Sequence, residues 1–324
     1  MVIVPFPSRQ WQTVQVLLAQ TTRMLTSSAS SWATGLYRNP YTALLHLSWC
    51  PTQPLLRFRG VTTSRPMPLH EAVRLHQLQK TYVIPGRTDT AIYALDQVSL
   101  MIPPATFTAV VGPSGCGKST LLHCTAGLDR PTAGEIDLLG TRITALKPAQ
   151  LAAFRARHLG FVFQDDNLIS SLTAFDNVAL PGRLAGRGLP RQEVMETLAM
   201  VGMEHRAQLR PHQLSGGERQ RIAVARVMAS RPPLVFADEP TGALDISSGA
   251  VVMGWLRSLT DLGTTVVMVT HDVGAAAAAD TVVVMQAGTV RATIPGGNPH
   301  DIEEQLHACR ATPGLAAALA GPAS

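Results

Sequence analysis

The sequence predicts an α/β fold in which short apolar strands carry polar residues at their carboxyl ends. Three stretches support this. Val111-Gly112-Pro113-Ser114-Gly115-Cys116-Gly117-Lys118-Ser119-Thr120 fits the phosphate-loop pattern G-x-x-x-x-G-K-[ST]. An apolar run, Phe107 to Val111, precedes it as a buried strand, and a second run, Leu121 to Ala126, follows as a helix that Gly127 is suited to cap. Leu234-Val235-Phe236-Ala237 then ends in Asp238-Glu239, and the β-branched run Thr264 to Thr270 ends in His271-Asp272.

The loop comes first because its chemistry is the most specific. Gly112, Gly115 and Gly117 let successive backbone N–H groups turn inward on a polyphosphate, which the positive end of the following helix also attracts. Lys118 reaches the β- and γ-phosphates, the Ser119 hydroxyl ligates Mg²⁺, and Thr120 supports the α-phosphate. A glycine-rich turn that merely contains a lysine lacks the strand before it and the helix after it.

The two acidic strand ends follow the same logic. Burying carboxylates is costly unless a cation or proton chemistry compensates. Asp238 is therefore expected to hold a Mg²⁺-bound water and Glu239 to polarise the water that attacks the γ-phosphate. His271 can contact that phosphate or be a plain loop residue, and Gln164, ending Phe161-Val162-Phe163-Gln164, can reach Mg²⁺ or the attacking water or be an ordinary surface polar residue. Ser215-Gly216-Gly217 opens a helix and reads both as an N-cap and as an anion site. Tyr82 is expected in a turn between two strands, either stacked on a purine base or simply packed.

In chain order, Val73 to Leu78 and Ala94 to Ile102 read as antiparallel strands feeding the core strand. Glu135 to Leu139 reads as a short strand after a turn. Residues from about 165 to 230 read as mostly helical, with one helix over Pro190 to Met200 stopped at Gly202. Thr281 to Met285 and Gly288 to Arg291 form a last strand pair, and the chain frays after about Ala311.

With 46% hydrophobic and 15% charged residues among 324, the composition is that of a globular chain. The net charge of +5 is unevenly placed. Residues 1–70 hold six of the 27 basic residues and no acid, which leaves 21 basic against 22 acidic residues in the rest. The body thus has no electrostatic footprint for nucleic acid. Residues 1–70 have no sustained period and read as a disordered or non-native leader, with Met67 a plausible start. The expected domains are that leader, a nucleotide-binding domain over 71–300, and a tail over 301–324. Four cysteines lack metal-ligand spacing, and no apolar run reaches the 18 residues of a membrane helix.

Taken together, the phosphate loop, Gln164, Leu214 to Gln220, Leu234 to Glu239, Gly242-Ala243-Leu244-Asp245 and His271 resemble the ABC ATPase family in order and spacing. The resemblance implies a P-loop NTPase with a RecA-like core, an antiparallel β subdomain and an inserted α-helical signature subdomain. It also implies two cassettes paired head to tail, with ATP and Mg²⁺ between the loop of one and Ser215, Gly216, Gly217 and Glu218 of the other, and Asp245 at the dimer contact. Finer marks, Asn167-Leu168, Asn177 to Pro181 and Asp238 to Asp245 among them, resemble the lipoprotein-release, macrolide-export and cell-division branch. Glu218 stands where the commonest signature has Gln, and Ala105-Thr106 where relatives usually have Gly-Glu. The implied function is ATP hydrolysis that drives a separately encoded permease from the cytoplasmic face of the membrane, with a mechanotransmission complex as the alternative. A soluble ATPase acting on nucleic acid fits less well, because no heptads intervene between Lys118 and Asp238.

Overall fold

The computed structural model describes residues 71–83, 91–242 and 244–311. The expected leader and its start at Met67 lie outside them. β1 (Val73–Val83) and β2 (Ala91–Ile102) pair antiparallel. Each carries a bulge: Gln77 and Gln97 take φ of +46° and +48°. The extra residue lets Leu75 and Leu78, three apart, both face the core, as Leu95 and Val98 do on the partner. β1 therefore runs on through Val83, so that Tyr82 lies in a strand opposite Ile92, not in a turn.

β3 (Phe107–Val111) is buried at every position, the mark of a strand covered on both faces. α1 (Lys118–Thr125) leaves the loop behind it, beginning three residues before the expected run. β4 (Ala133–Leu138) and the short β5 (Thr141–Arg142) complete a sheet of order β2-β1-β4-β5. α2 (Pro148–His158) starts with proline in its first turn, while the Gln150 side chain accepts from the Lys147 N–H at 3.0 Å. β6 (Leu159–Val162) ends two residues before Gln164.

Three helices follow: α3 (Ala174–Leu184), capped by the Thr173 hydroxyl, α4 (Arg191–Met200) and α5 (Gly216–Ser230). They share a core of their own, with Val178, Val194, Leu198 and Ile222 fully buried. β7 (Leu234–Asp238), α6 (Ile246–Asp261), β8 (Thr265–Val269), α7 (Val273–Ala277) and β9 (Thr281–Gln286) then alternate. β10 (Thr289–Pro295) turns back antiparallel on β9. α8 (Pro299–Ala311) crosses the boundary expected at 300: Ile302 and Cys309 enter the core, and the Gln286 amide donates to the Cys309 carbonyl. Residues 301–311 thus belong to the folded unit.

The second sheet has the order β10-β9-β3-β8-β7-β6, with β9 through β6 parallel. One of its faces meets the antiparallel sheet through α1, where Leu121, Leu122, Val73 and Ile136 are buried together. The other is covered by α6, α7 and α8 through Leu256, Ala276 and Ile302.

The turn before β3 departs from ordinary chemistry. Ala105 takes φ of +54°, the left-handed region, while its N–H donates to the Thr265 hydroxyl at 3.0 Å. That conformation costs a residue with a Cβ about 1–2 kcal/mol, and glycine gives back about 0.4–1 kcal/mol through its freer unfolded chain. Ala105→Gly is expected to stabilise the protein by about 0.5–1 kcal/mol, seen as a higher urea midpoint at unchanged slope.

Candidate functional site

The strand order β3-β8-β7-β6 brings four carboxyl ends side by side. Val110 pairs with Val269, Val269 with Asp238, and Ala237 with Val162. The loop after β3, His271 after β8, Asp238-Glu239 at the end of β7 and Gln164 beyond β6 are thereby set along one edge, the edge where α/β sheets bind ligands.

Close approach dictates the glycines of the loop. A Cβ on Gly112 would stand 2.3 Å from the Met285 carbonyl oxygen, and one on Gly117 would stand 2.2 Å from that of Ala94. Gly117 also takes φ of +104°, so only glycine fits as the loop turns into α1. Pro113, Ser114 and Gly115 form the outer part, and Cys116 folds under, buried, its carbonyl accepting from the Gly288 N–H at 2.9 Å. Burial raises the Cys116 thiol, and that of Cys124 goes up to about 11, so both behave as small apolar groups. The Lys118 ammonium folds back over the loop, donating to the carbonyls of Gly112 at 2.8 Å and Pro113 at 3.1 Å. Ser119 and Thr120 follow in the first turn of α1.

Asp238 faces α1. Its Oδ1 accepts from the Ser119 hydroxyl at 3.2 Å, and its Oδ2 lies 3.4 Å from His123 Nε2. Burial raises this carboxyl above the ordinary range, with the neighbouring Glu239 pushing the same way and His123 and Ser119 opposing. Glu239 sits at φ +47°, its N–H donating to the Val269 carbonyl, so the carboxylate swings toward β8. Glu239 Oε1 lies 2.9 Å from His271 Nδ1, and Oε2 accepts from the Thr270 hydroxyl at 3.2 Å. A carboxylate held in a rare backbone conformation by two strands is a strained, pre-set group.

Gln164 lies against the loop after β7: a Cβ on Gly242 would be 3.5 Å from Gln164 Nε2. Behind it, the buried Gln220 of α5 donates through Nε2 to the carbonyls of Phe163 at 3.3 Å and Pro240 at 2.9 Å, tying the segments that carry Gln164 and Glu239. Arg219 pairs with Asp166 at 2.6 Å, and Arg226 donates to the Asn167 carbonyl.

The structure does not bring every expected residue into this cluster. Ser215 is the N-cap of α5, its hydroxyl accepting from the Glu218 N–H at 3.2 Å while the Glu218 carboxylate accepts from the Ser215 N–H at 2.8 Å. That second bond heads the causes that hold Glu218 below the usual carboxylate range, and Arg206 also pairs with it at 3.1 Å. The hydrogen bonds of this group are thus made within its own subdomain. Space around Gly217 is open to 4 Å, and a Cβ on Gly216 would meet only the Arg219 guanidinium at 3.8 Å. Asp245 caps α6, held well below the usual carboxylate range by the Ser247 hydroxyl and by Ser248. Tyr82 is exposed on β1, its hydroxyl donating to Asp129 at 2.9 Å.

Sequence reasoning gave no role to His123, Lys80 and Asp129, and it took Gln220 only as the end of the Leu214 to Gln220 stretch. For His123 a signal existed, since it follows Ser119 by four residues and so shares its face of α1. No local pattern announces Gln220, whose partners lie 57 and 20 residues away.

A parallel α/β sheet with a glycine-built phosphate loop facing an aspartate and a glutamate defines a phosphate-loop nucleoside triphosphatase. The ABC transporter family model matches residues 95–242. An uncharacterized ABC transporter ATP-binding protein of Methanocaldococcus jannaschii is 43% identical over 198 residues, 60% of this chain and 88% of the relative. LolD, the lipoprotein-releasing system ATP-binding protein of Xanthomonas oryzae pv. oryzae, is 39% identical over 73% of this chain and 97% of its own length. The macrolide export ATP-binding/permease protein MacB of Chlorobaculum tepidum is 42% identical, but the chain spans only 33% of it. Among solved structures, the dimeric post-hydrolysis state of the cassette MJ0796 bound to ADP and Pi matches with a TM-score of 0.65 and 39% identity, covering 69% of this chain and 98% of that one. The chain belongs to the ABC transporter family, as an ATP-binding ATPase cassette of the branch that includes LolD and MacB.

Gln220→Met keeps the volume of the side chain and removes both donors. Leaving a buried carbonyl without a partner costs about 1–3 kcal/mol, and a fall of that size is expected in the unfolding free energy measured in urea.

Proposed function

We propose that this cassette, residues 71–311, hydrolyses MgATP to drive a separately encoded membrane permease, closing against a second copy of itself. The observation that carries the reading is the convergence on one sheet edge of the phosphate loop with Asp238, Glu239 and His271, Ser119 Oγ standing 3.2 Å from Asp238 Oδ1. In this reading the loop N–H groups and Lys118 hold the triphosphate, and Tyr82 stacks on the base. The Glu239 carboxylate accepts a proton from the attacking water, oriented for it by Thr270 and His271. His271 and Gln164 face the γ-phosphate.

Ser119, Asp238 and Gln164 suit Mg²⁺, because a hydroxyl, a carboxylate and an amide are hard oxygen donors and the first two already lie together. Held by these residues, Mg²⁺ would supply neutralisation of charge on the transferring phosphoryl group.

Pairing of two copies is supported by the open backbone at Gly216 and Gly217, which leaves the positive end of α5 accessible to a partner's γ-phosphate. Asp245 then lies at the contact. The MJ0796 cassette is itself described as dimeric. Among the described residues no helix is long and apolar enough to cross a membrane. We place the chain on the cytoplasmic face through its permease, whose cytoplasmic helix enters the groove at residues 164–176. LolD and MacB, named for lipoprotein release and macrolide export, support a substrate of the same kind.

Glu239→Gln is expected to retain ATP binding while losing about 10²–10⁴-fold in turnover and to accumulate as a closed dimer on size exclusion with ATP. Unchanged hydrolysis would remove Glu239 from the mechanism. Lys118→Ala is expected to weaken nucleotide binding itself, measured by calorimetric titration.

A further inference from the structure

Lys80 and Asp129 have no part in the scheme above, yet both are built around Tyr82. Lys80 and Tyr82 are two apart on β1, so their side chains leave the same face of the strand. Asp129 arrives from the turn after α1, its N–H donating to the His123 carbonyl at 3.1 Å. Its two carboxylate oxygens divide the work: Oδ1 accepts from the Lys80 ammonium at 2.7 Å, and Oδ2 from the Tyr82 hydroxyl at 2.9 Å. The ammonium donates again to the Arg130 carbonyl at 2.8 Å and stands 4.9 Å from the centroid of the Tyr82 ring. The Lys80 side chain is only 12% exposed, whereas Tyr82 remains 42% exposed.

A partly exposed ion pair contributes little stability on its own, and holding a lysine and a tyrosine in one geometry costs rotamer entropy. The arrangement does something more specific. It closes a triangle in which the ring is tied at its hydroxyl to the far end of the phosphate-loop helix, and a cation covers one face. The 42% of Tyr82 that stays exposed is surface available to a flat partner.

We propose that Lys80 and Asp129 are positioning residues for the nucleotide base, locking the Tyr82 ring in place before a purine nucleoside triphosphate arrives. The proposal rests on the reading of Tyr82 as the base-stacking residue. It adds that the ring works because it is pre-ordered, so that binding does not have to freeze it. It also couples base and triphosphate through one piece of backbone, since Asp129 lies in the turn that closes the helix beginning at Lys118, its N–H bonded to the His123 carbonyl.

The test is calorimetric titration of the full chain with ATP and, separately, with inorganic tripolyphosphate, alongside thermal melts of each variant. Tyr82→Ala is expected to weaken ATP about 10-fold, as loss of one stacking contact does. Asp129→Ala and Lys80→Met should each weaken it about 3–10-fold, with Lys80→Arg restoring most of the loss. Tripolyphosphate, which has no base, should bind all of these variants as it binds the wild type. Asp129→Ala should cost little further in a Tyr82→Ala background, because both act through one contact. If Tyr82→Ala weakens ATP while Asp129→Ala and Lys80→Met do not, the positioning role is wrong and the stacking reading survives. Should Tyr82→Ala leave ATP binding intact, the stacking reading falls and this inference with it. Equal losses for ATP and tripolyphosphate in the Asp129 and Lys80 variants would show a structural effect on the phosphate loop and overturn the proposal.

Discussion

The parallel ladder through β3, β8, β7 and β6 is the constraint on which the site depends. A parallel pairing runs all four strands the same way, so the residues that follow them emerge together. The phosphate loop, His271, the Asp238-Glu239 pair and Gln164 are remote in sequence, and no local contact would assemble them. Their proximity follows from strand order and register alone. Each strand has an almost continuous apolar sequence because both faces are covered, and the burial of Phe107, Phe236, Val266 and Met268 holds the ladder in place.

Within that frame the two acids sit in different surroundings. Asp238 is turned inward against α1, where burial disfavours its charge and Ser119 and His123 work against that. Glu239 is turned the other way by its positive φ and rests against the end of β8. Adjacent carboxylates in one environment would compete for a single proton. Separated by a backbone twist, one can serve a cation and the other a water molecule.

Much of this was legible because the chemistry is written in contiguous stretches. The run from Gly112 to Thr120 states its own loop, and Leu234 to Glu239 states a buried strand with an acidic end. What escaped reading did so for physical reasons. α2 has no fully buried residue, and its apolar face is little more than Leu151 and Phe154, too short a stripe to find. The bulges at Gln77 and Gln97 interrupt the two-residue alternation, which hid the continuation of β1 and placed Tyr82 in a turn. α8 lays Ile302, Leu306 and Cys309 against the core at helical spacing, a short stripe that the neighbouring Ala/Gly/Pro-rich end obscured. Gln220 could not be assigned because its role exists only between loops that the fold brings to it.

The reciprocal bonding of Ser215 and Glu218 bears on what the start of α5 presents to solvent. A helix start otherwise leaves its first amides to water. Here the acid that departs from the usual glutamine satisfies one amide, draws in Arg206 and quiets the local charge. The Ser215 amide is therefore satisfied within the subunit, while the space around Gly216 and Gly217 stays open.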